Sequence, residues 1–338
     1  MSCITRRELL GQGARSLAAA VLGNLVGVGL GGCRRRVEVE TLVIQGAPSP
    51  PTLALLRVAS EGVPTDLARN IRFQLWSTAD EMRARITSGQ AHLSGVPINV
   101  AATLYSRGVR VQLLNVYIWG ILYLVSRRPQ VSWQDLRGQP VLIPFRGDLP
   151  DILTQYLLRK QGMDLARDLQ PTYLSAAPEA AQILAAGRAS HAVLSEPSAS
   201  LAILKAKENG IALYRSLDYS QAWASVTGRA PRLPMAGVVA DQELAHARPD
   251  VLRWFQAAHR EAVSWVISHP EEATRLGAQA IEAIPPAVML ASLPFIQFSF
   301  EEAGQARDEV EFFLSEMRSL SPEWIGGDLP PDGFYYRG

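Results

Sequence analysis

Glu40-Thr41-Leu42-Val43-Ile44-Gln45, then Gly46-Ala47-Pro48-Ser49-Pro50-Pro51, then the segment beginning Thr52-Leu53-Ala54, is the stretch from which the fold can be worked out. A short run centred on Leu, Val and Ile predicts a strand. The glycine and three prolines after it break that strand. Leu53, Leu56 and Ala59 then recur at helical spacing, so residues 52–60 predict a helix. The unit is strand, loop, helix.

The unit repeats along the chain. Strands are expected at 71–76, 92–95, 110–117, 121–125, 140–144, 171–174 and 192–194. Between them, helices are expected at 78–88, 97–106, 149–160, 178–186 and 197–208, with a helical turn at 133–138. Short apolar strands alternating with helices predict an α/β protein with a largely parallel sheet covered on both faces. Beyond the polar, Gly- and Pro-containing stretch 228–234 the pattern turns helical, at 249–267, 271–280, 286–293 and 301–319. Pro330-Pro331-Asp332-Gly333 predicts loop.

Ahead of this body, residues 1–15 hold Arg6, Arg7 and Arg15 against one acid, Glu8, and residues 16–32 carry no charge. That is the layout of an export signal. Its apolar run is diluted by Gly23, Gly27, Gly29, Gly31 and Gly32, and falls short of the ~20 apolar residues of a spanning helix. Leu30-Gly31-Gly32-Cys33 resembles the lipobox of bacterial lipoproteins, which implies a diacylglycerol on Cys33 and a lipid anchor to the membrane beside Arg34-Arg35-Arg36. Thr5-Arg6-Arg7-Glu8-Leu9-Leu10 resembles a twin-arginine export motif. Cys3 and Cys33 are the only cysteines, so a body without thiols must be stabilised by its own core.

Several chemistries are opposed by the sequence. A net charge of +1, spread evenly, argues against a nucleic-acid partner. His92, His191, His246, His259 and His269 show no pair at metal-ligand spacing. No Gly-x-Ser-x-Gly turn and no phosphate loop is present. No cofactor is expected.

Ser132-Trp133-Gln134-Asp135-Leu136-Arg137-Gly138-Gln139-Pro140-Val141, Gly147-Asp148-Leu149-Pro150-Asp151, Tyr156-Leu157-Leu158-Arg159-Lys160-Gln161-Gly162-Met163-Asp164 and Glu196-Pro197 resemble the second lobe of extracytoplasmic solute-binding proteins. The relatives are of the nitrate, sulfonate, taurine and thiamine-precursor type. The segment 257–273, containing Trp265, His269 and Pro270, resembles the helix pair that ends these proteins. The resemblance covers roughly residues 40–320. It implies a type II periplasmic binding protein fold, with two α/β lobes around a ligand cleft. Lobe I is then expected at 37–125 and 235–325, lobe II at 126–234, the signal at 1–33 and a C-terminal tail at 326–338, with crossovers near 124–127 and 225–234. It further implies a monomer, exported to the periplasm or cell surface, that binds a small-molecule solute for an ABC permease and ATPase and is not an enzyme. A sensing module, or an enzyme on the same fold acting on a small heterocycle, stays open as an alternative.

Ligands of open parallel sheets sit outside the carboxyl ends of the strands. Gly46 and Ser49 lie after the first strand, Trp76 after the second, and Ser94 and Pro97 around the third. From lobe II come Gly147 and Asp148, Ser175 and Glu196, while Trp119 leads into the hinge and offers a flat wall. Family members with anionic ligands commonly carry Ser or Thr where this chain has Asp148. Asp148 suits either a helix cap or a ligand contact, and together with Glu196 it favours a neutral or amine-bearing solute.

Overall fold

A computed structural model describes residues 38–338; the expected export signal, the twin-arginine motif and Cys33 lie outside the described residues. The strand–helix alternation is realised in order. β1 (Thr41–Gly46) leads to α1 (Thr52–Glu61), β2 (Asn70–Leu75) to α2 (Ala79–Thr87), and β3 (Leu93–Pro97) to α3 (Ile98–Ser106), followed by β4 (Val111–Ile118). Next come β5 (Leu122–Ser126), β6 (Pro140–Pro144), α4 (Leu149–Lys160), α5 (Leu165–Asp168), β7 (Gln170–Leu174) and α6 (Ala177–Ala185). β8 (His191–Ser195), α7 (Ser198–Glu208), β9 (Tyr214–Asp218) and α8 (Tyr219–Thr227) complete this part. The chain then forms β10 (Ala236–Asp241), α9 (Gln242–Ala247), α10 (Pro249–Ser268), α11 (Pro270–Ala280), α12 (Pro286–Ser292), β11 (Phe298–Glu302) and α13 (Ala303–Leu320).

Two sheets result, ordered β11-β4-β10-β3-β1-β2 and β7-β6-β8-β5-β9. β1 is parallel to β2 and β3, and β6 is parallel to β7 and β8. The remaining pairs, β10 with β3 and β4, β11 with β4, and β5 with β8 and β9, are antiparallel. The expectation of a largely parallel sheet is therefore corrected to two mixed sheets. The cause is the chain's path: β5 enters the second sheet, and β10 returns to the first, against the direction of their neighbours. β10 and β11 escape sequence analysis because one is Ala-Gly-Val-Val-Ala-Asp and the other ends in two acids, neither a strong strand pattern.

The change of sheet also comes earlier than expected. β5 already pairs with β8 and β9, so the first crossover lies between Ile118 and Leu122 rather than at 124–127. The return falls between Thr227 and Ala236. The two crossovers are bonded to each other, Leu233 N–H donating to the Trp119 carbonyl at 2.6 Å and Met235 N–H to Ile118 at 2.9 Å. The expected loop at 330–333 is partly a 3-10 turn over Asp332–Phe334, and the chain end is docked. Phe334 and Tyr335 are buried, and Tyr336 N–H donates to the Leu113 carbonyl at 2.9 Å.

Gly237 shows how tightly β10 is inserted. A Cβ there would collide with the Asn115 carbonyl of β4, beside a shift in strand register, and would also press on Leu113 and Ile98. Overfilling a packed interior costs about 1–3 kcal/mol. Gly237→Ala is expected to lower the urea unfolding free energy by that amount, and an unchanged midpoint would show that β10 has room to move.

Candidate functional site

Because β1, β2 and β3 run parallel, their carboxyl ends open on one rim. Trp76 N–H donates to the Gly46 carbonyl at 3.2 Å, which joins two of the expected residues directly. Gly46 itself is structural: a Cβ there would lie 2.7 Å from Thr52 Oγ1, whose hydroxyl closes the loop by donating to Ala47 O at 2.6 Å. Ser49 lies half-buried in that loop and accepts the Thr52 N–H at 3.0 Å. Pro97 caps α3 without a side-chain bond, and Ser94 is buried one layer deeper, with its Oγ accepting from Gln45 Nε2 at 2.9 Å. Gln45 Oε1, Asn99 Oδ1 and Trp76 Nε1 are buried atoms without a partner among the described residues. Such groups call for a water or ligand partner, since an unpaired buried polar atom is costly.

The first rim offers an anion little. Pro50 and Pro51 have no N–H, and the Thr52 and Leu53 N–H groups are taken by the Ser49 and Pro50 carbonyls at 3.0 Å each. The positive end of α1 is thus largely consumed inside its own loop.

The second rim is built by β6, β7 and β8, again parallel. Gly147 adopts a left-handed backbone (φ 79°) in an exposed turn, and its N–H donates to Asp151 Oδ2 at 2.8 Å. Asp151, buried, also accepts from the Tyr173 hydroxyl at 3.0 Å. Asp148 stands at the N-cap position of α4 in an extended conformation, yet its side chain accepts no helix N–H. The capping role considered for Asp148 is therefore absent. Although the residue is exposed, partial desolvation raises its carboxyl pKa, with Arg83 opposing and Asp151 adding to the rise. Ser175 is exposed after β7.

Glu196 is placed differently from an open ligand contact. It is 2% exposed and accepts Arg215 Nε at 2.7 Å and the Ser200 N–H at 3.1 Å, so it caps α7 from within. Burial pushes its pKa up, while Arg215 and Ser200 hold it down. The Arg215 guanidinium lies 3.4 Å from the centre of the Phe295 ring and 2.7 Å from Ser200 Oγ. Its charge is spoken for within the chain. Of the two carboxylates expected to set the sign of the ligand, only Asp148 is free to face a solute.

Between the two rims, Arg83 of α2 lies near enough to Asp148 beside α4 to lower its carboxyl pKa, and α12 packs against α7. Trp119 does not line this space. It is 1% exposed, its indole N–H donates to Ser299 O at 2.7 Å, and the Arg232 guanidinium covers its ring at 3.5 Å. Arg232 also pairs with Glu301 and Glu309, which makes Trp119 part of the bonded crossover. A surface cavity of about 660 Å³ bordered by Arg128, Trp133, Gln161 and Gln221 involves none of the ten expected residues.

No protein-family model matches the chain, and no curated protein matches it. Solved structures do. An ABC transporter from Parabacteroides distasonis aligns over 88% of this chain and 99% of its own, with TM-score 0.74 and 24% identity. The periplasmic aliphatic sulphonate binding protein SsuA of Escherichia coli aligns over 88% and 92%, at TM-score 0.67 and 16% identity. The periplasmic nitrate-binding protein NrtA of Synechocystis PCC 6803 aligns over 84% and 82%, at TM-score 0.60 and 13% identity. This is the type II periplasmic binding protein fold. At these identities the likeness establishes the architecture, and the chemistry must come from the residues.

On this binding-protein fold, three residues at the rims were not picked out as candidates from the sequence: Phe145, Asp151 and Arg215. Asp151 and Arg215 give no local signal, because their roles depend on partners at Tyr173 and Glu196. Phe145 directly follows β6, but only its backbone angle sets it apart.

Proposed function

We propose that the chain is an exported solute-binding protein, lipid-anchored through Cys33, that passes a small organic solute to an ABC permease and its ATPase. In this proposal lobe I comprises 37–125 and 235–325, adjusted so that β5 belongs to lobe II, and the solute is enclosed as the lobes close. The site is formed by Gly46, Ser49, Trp76, Ser94 and Pro97 from one rim and Gly147, Asp148, Ser175 and the neighbourhood of Glu196 from the other. The observation that carries the proposal is the pair of carboxyl rims, one holding buried polar atoms without a partner among the described residues and the other a carboxylate, Asp148, that makes no cap bond.

The test is native mass spectrometry of gently purified protein, with scattering measured before and after solute removal. A co-purified small molecule and a more compact loaded form are expected, because a ligand that contacts both lobes favours the closed state by its differential affinity. Absence of any solute, together with turnover of small heterocycles, would favour an enzyme instead. Metabolic labelling with a fatty acid should mark wild-type protein and not Cys33→Ser. Asp148→Asn should leave the unfolding midpoint nearly unchanged, since no cap bond is lost, while weakening an amine-bearing solute about tenfold.

A further inference from the structure

Two kinds of contact tie the first sheet to the second beside the crossovers, and they differ in depth. One is a seam along α13, the helix that packs on β4 and β11. Trp223 of α8 lies 5.1 Å from Tyr156 of α4, and 5.8 Å from both Phe312 and Phe313 of α13, between ring centres. Trp223, Tyr156 and Phe313 are buried, and the Tyr156 hydroxyl donates to Glu316 Oε2 at 2.6 Å. Arg229, after α8, covers the Phe312 ring at 3.9 Å and pairs with Asp308 at 2.6 Å. Parting this seam would uncover a packed core.

The other tie is shallow. A 3-10 turn, Leu293–Phe295, leads from α12 towards β11 and reaches across to the second sheet. The Phe295 carbonyl accepts the Tyr123 hydroxyl of β5 at 2.7 Å, the Tyr123 ring meets the Phe295 ring edge-on at 6.5 Å, and the Arg215 guanidinium of β9 lies 3.4 Å from the Phe295 ring centre. Two residues on, Gln297 exchanges bonds with the first crossover. Trp119 N–H donates to the Gln297 carbonyl and Gln297 N–H to the Gly120 carbonyl, both at 2.8 Å. A Cβ on Gly120 would lie 2.5 Å from Ser220 Oγ and 2.7 Å from the Gln297 side chain, so three segments meet there at backbone distance. Phe295 itself stays 39% exposed. Its seat is one cation, one ring edge and one hydroxyl, which it can leave without opening a core.

We propose that the two sheet units turn about the buried α13 seam and the crossovers, and that the seat of Phe295 on Arg215 and Tyr123 is the catch holding them in the arrangement seen here. A hinge takes up motion at a few residues while packed elements beside it stay together. Of the two ties, the catch is the one whose release exposes little apolar surface, so it sets how much of a second arrangement is populated. Only its use rests on the solute-binding reading above. Leaving the seat would let the carboxyl rims change their separation around a solute, whereas the catch itself is made of contacts within the chain.

The experiment measures the distance between nitroxide labels at Ser88→Cys and Glu179→Cys by pulsed electron paramagnetic resonance, on the full chain carrying Cys3→Ser and Cys33→Ser, with any bound solute removed. Both positions are exposed. They come after β2 and β7 in the chain, the sheet edges farthest in strand order from the crossovers. The parent chain is expected to give one dominant distance. Phe295→Ala should raise the population at a second distance about tenfold, and Tyr123→Phe, which removes only the hydroxyl, should act in the same direction to a smaller extent. Trp223→Phe should lower Tm and leave the distances unchanged, because it loosens the pivot without freeing the catch. Unchanged distances in both Phe295→Ala and Tyr123→Phe would overturn the inference and mark Phe295 as a packing residue. So would a second distance as populated in the parent chain as in the variants, or one produced equally by Trp223→Phe. Where Phe295→Ala fails to fold, Tyr123→Phe decides alone. No solute enters the measurement, so its failure is distinct from that of solute binding, which the co-purified mass tests.

Discussion

Arg215→Met is expected to destabilise the chain by about 3–5 kcal/mol at neutral pH, the usual cost of leaving one member of a buried ion pair alone. Glu196 is 2% exposed and depends on Arg215 for its compensating charge, with the Ser200 N–H as its other partner. Removing the guanidinium also uncovers the Phe295 ring and breaks the bond to Ser200 Oγ. The loss carries a pH signature. Burial already raises the Glu196 pKa, and without Arg215 its folded-state value rises further above the unfolded one. A raised folded pKa gives stability that is present at low pH and lost as pH rises. Urea unfolding should therefore show a larger deficit for Arg215→Met at pH 8 than at pH 5. Arg215→Met combined with Glu196→Leu should recover much of the deficit, because an apolar pair can replace a buried ion pair at little cost. A single variant within 1 kcal/mol of wild type would show that Glu196 carries no buried charge.

The second large effect is acid lability centred on His259. This residue of α10 is fully buried, and neither ring nitrogen has a partner among the described residues. Its neighbours are rings: Tyr117 of β4 at 4.7 Å, Phe255 at 5.3 Å and Phe300 of β11 at 5.7 Å between centroids. The adjacent Arg260 is turned to Phe300 and pairs with Glu302 at 2.6 Å. Burial alone holds the His259 pKa down at about 3, against an ordinary value of 6.5. Between these values the unfolded chain takes up a proton that the folded chain refuses. Stability contributed by neutral burial is therefore present above pH 6.5 and is lost as pH falls, at about 1.4 kcal/mol per unit. His259→Leu should match wild type at pH 7.5 and exceed it by about 2–3 kcal/mol at pH 4.5. Burial also lowers the pKa values of His92 and His191, so both proteins weaken in acid, and the difference between their profiles is the measurement. Parallel profiles would overturn the assignment.

How much of this was legible beforehand follows from the range of each interaction. α4 and β6 begin and end where the amino-acid pattern places them, because Pro140, Pro144 and the apolar spacing after Leu149 act within a few residues. The carboxyl-end loops holding Trp76, Asp148 and Ser175 follow from the same short-range signals. Asp148 was harder, since its sequence position suits a cap and only the side-chain direction shows that no cap bond forms. Glu196 looked like a ligand group because its partner, Arg215, lies on another strand. Trp119 looked like a cleft wall because nothing near it in sequence announces Arg232 or the Ser299 carbonyl.

By itself the amino-acid sequence determined the α/β class, the repeated strand–loop–helix units and the loops that border the site, all of which rest on propensity and periodicity within single elements. Tertiary structure alone decided that β10 divides β3 from β4, that the crossover precedes β5, and which charged groups are already paired. It also decided that Phe145 is held in a left-handed turn. These depend on backbone bonds and ion pairs between residues far apart in the chain, and no local pattern encodes which distant partner will close them.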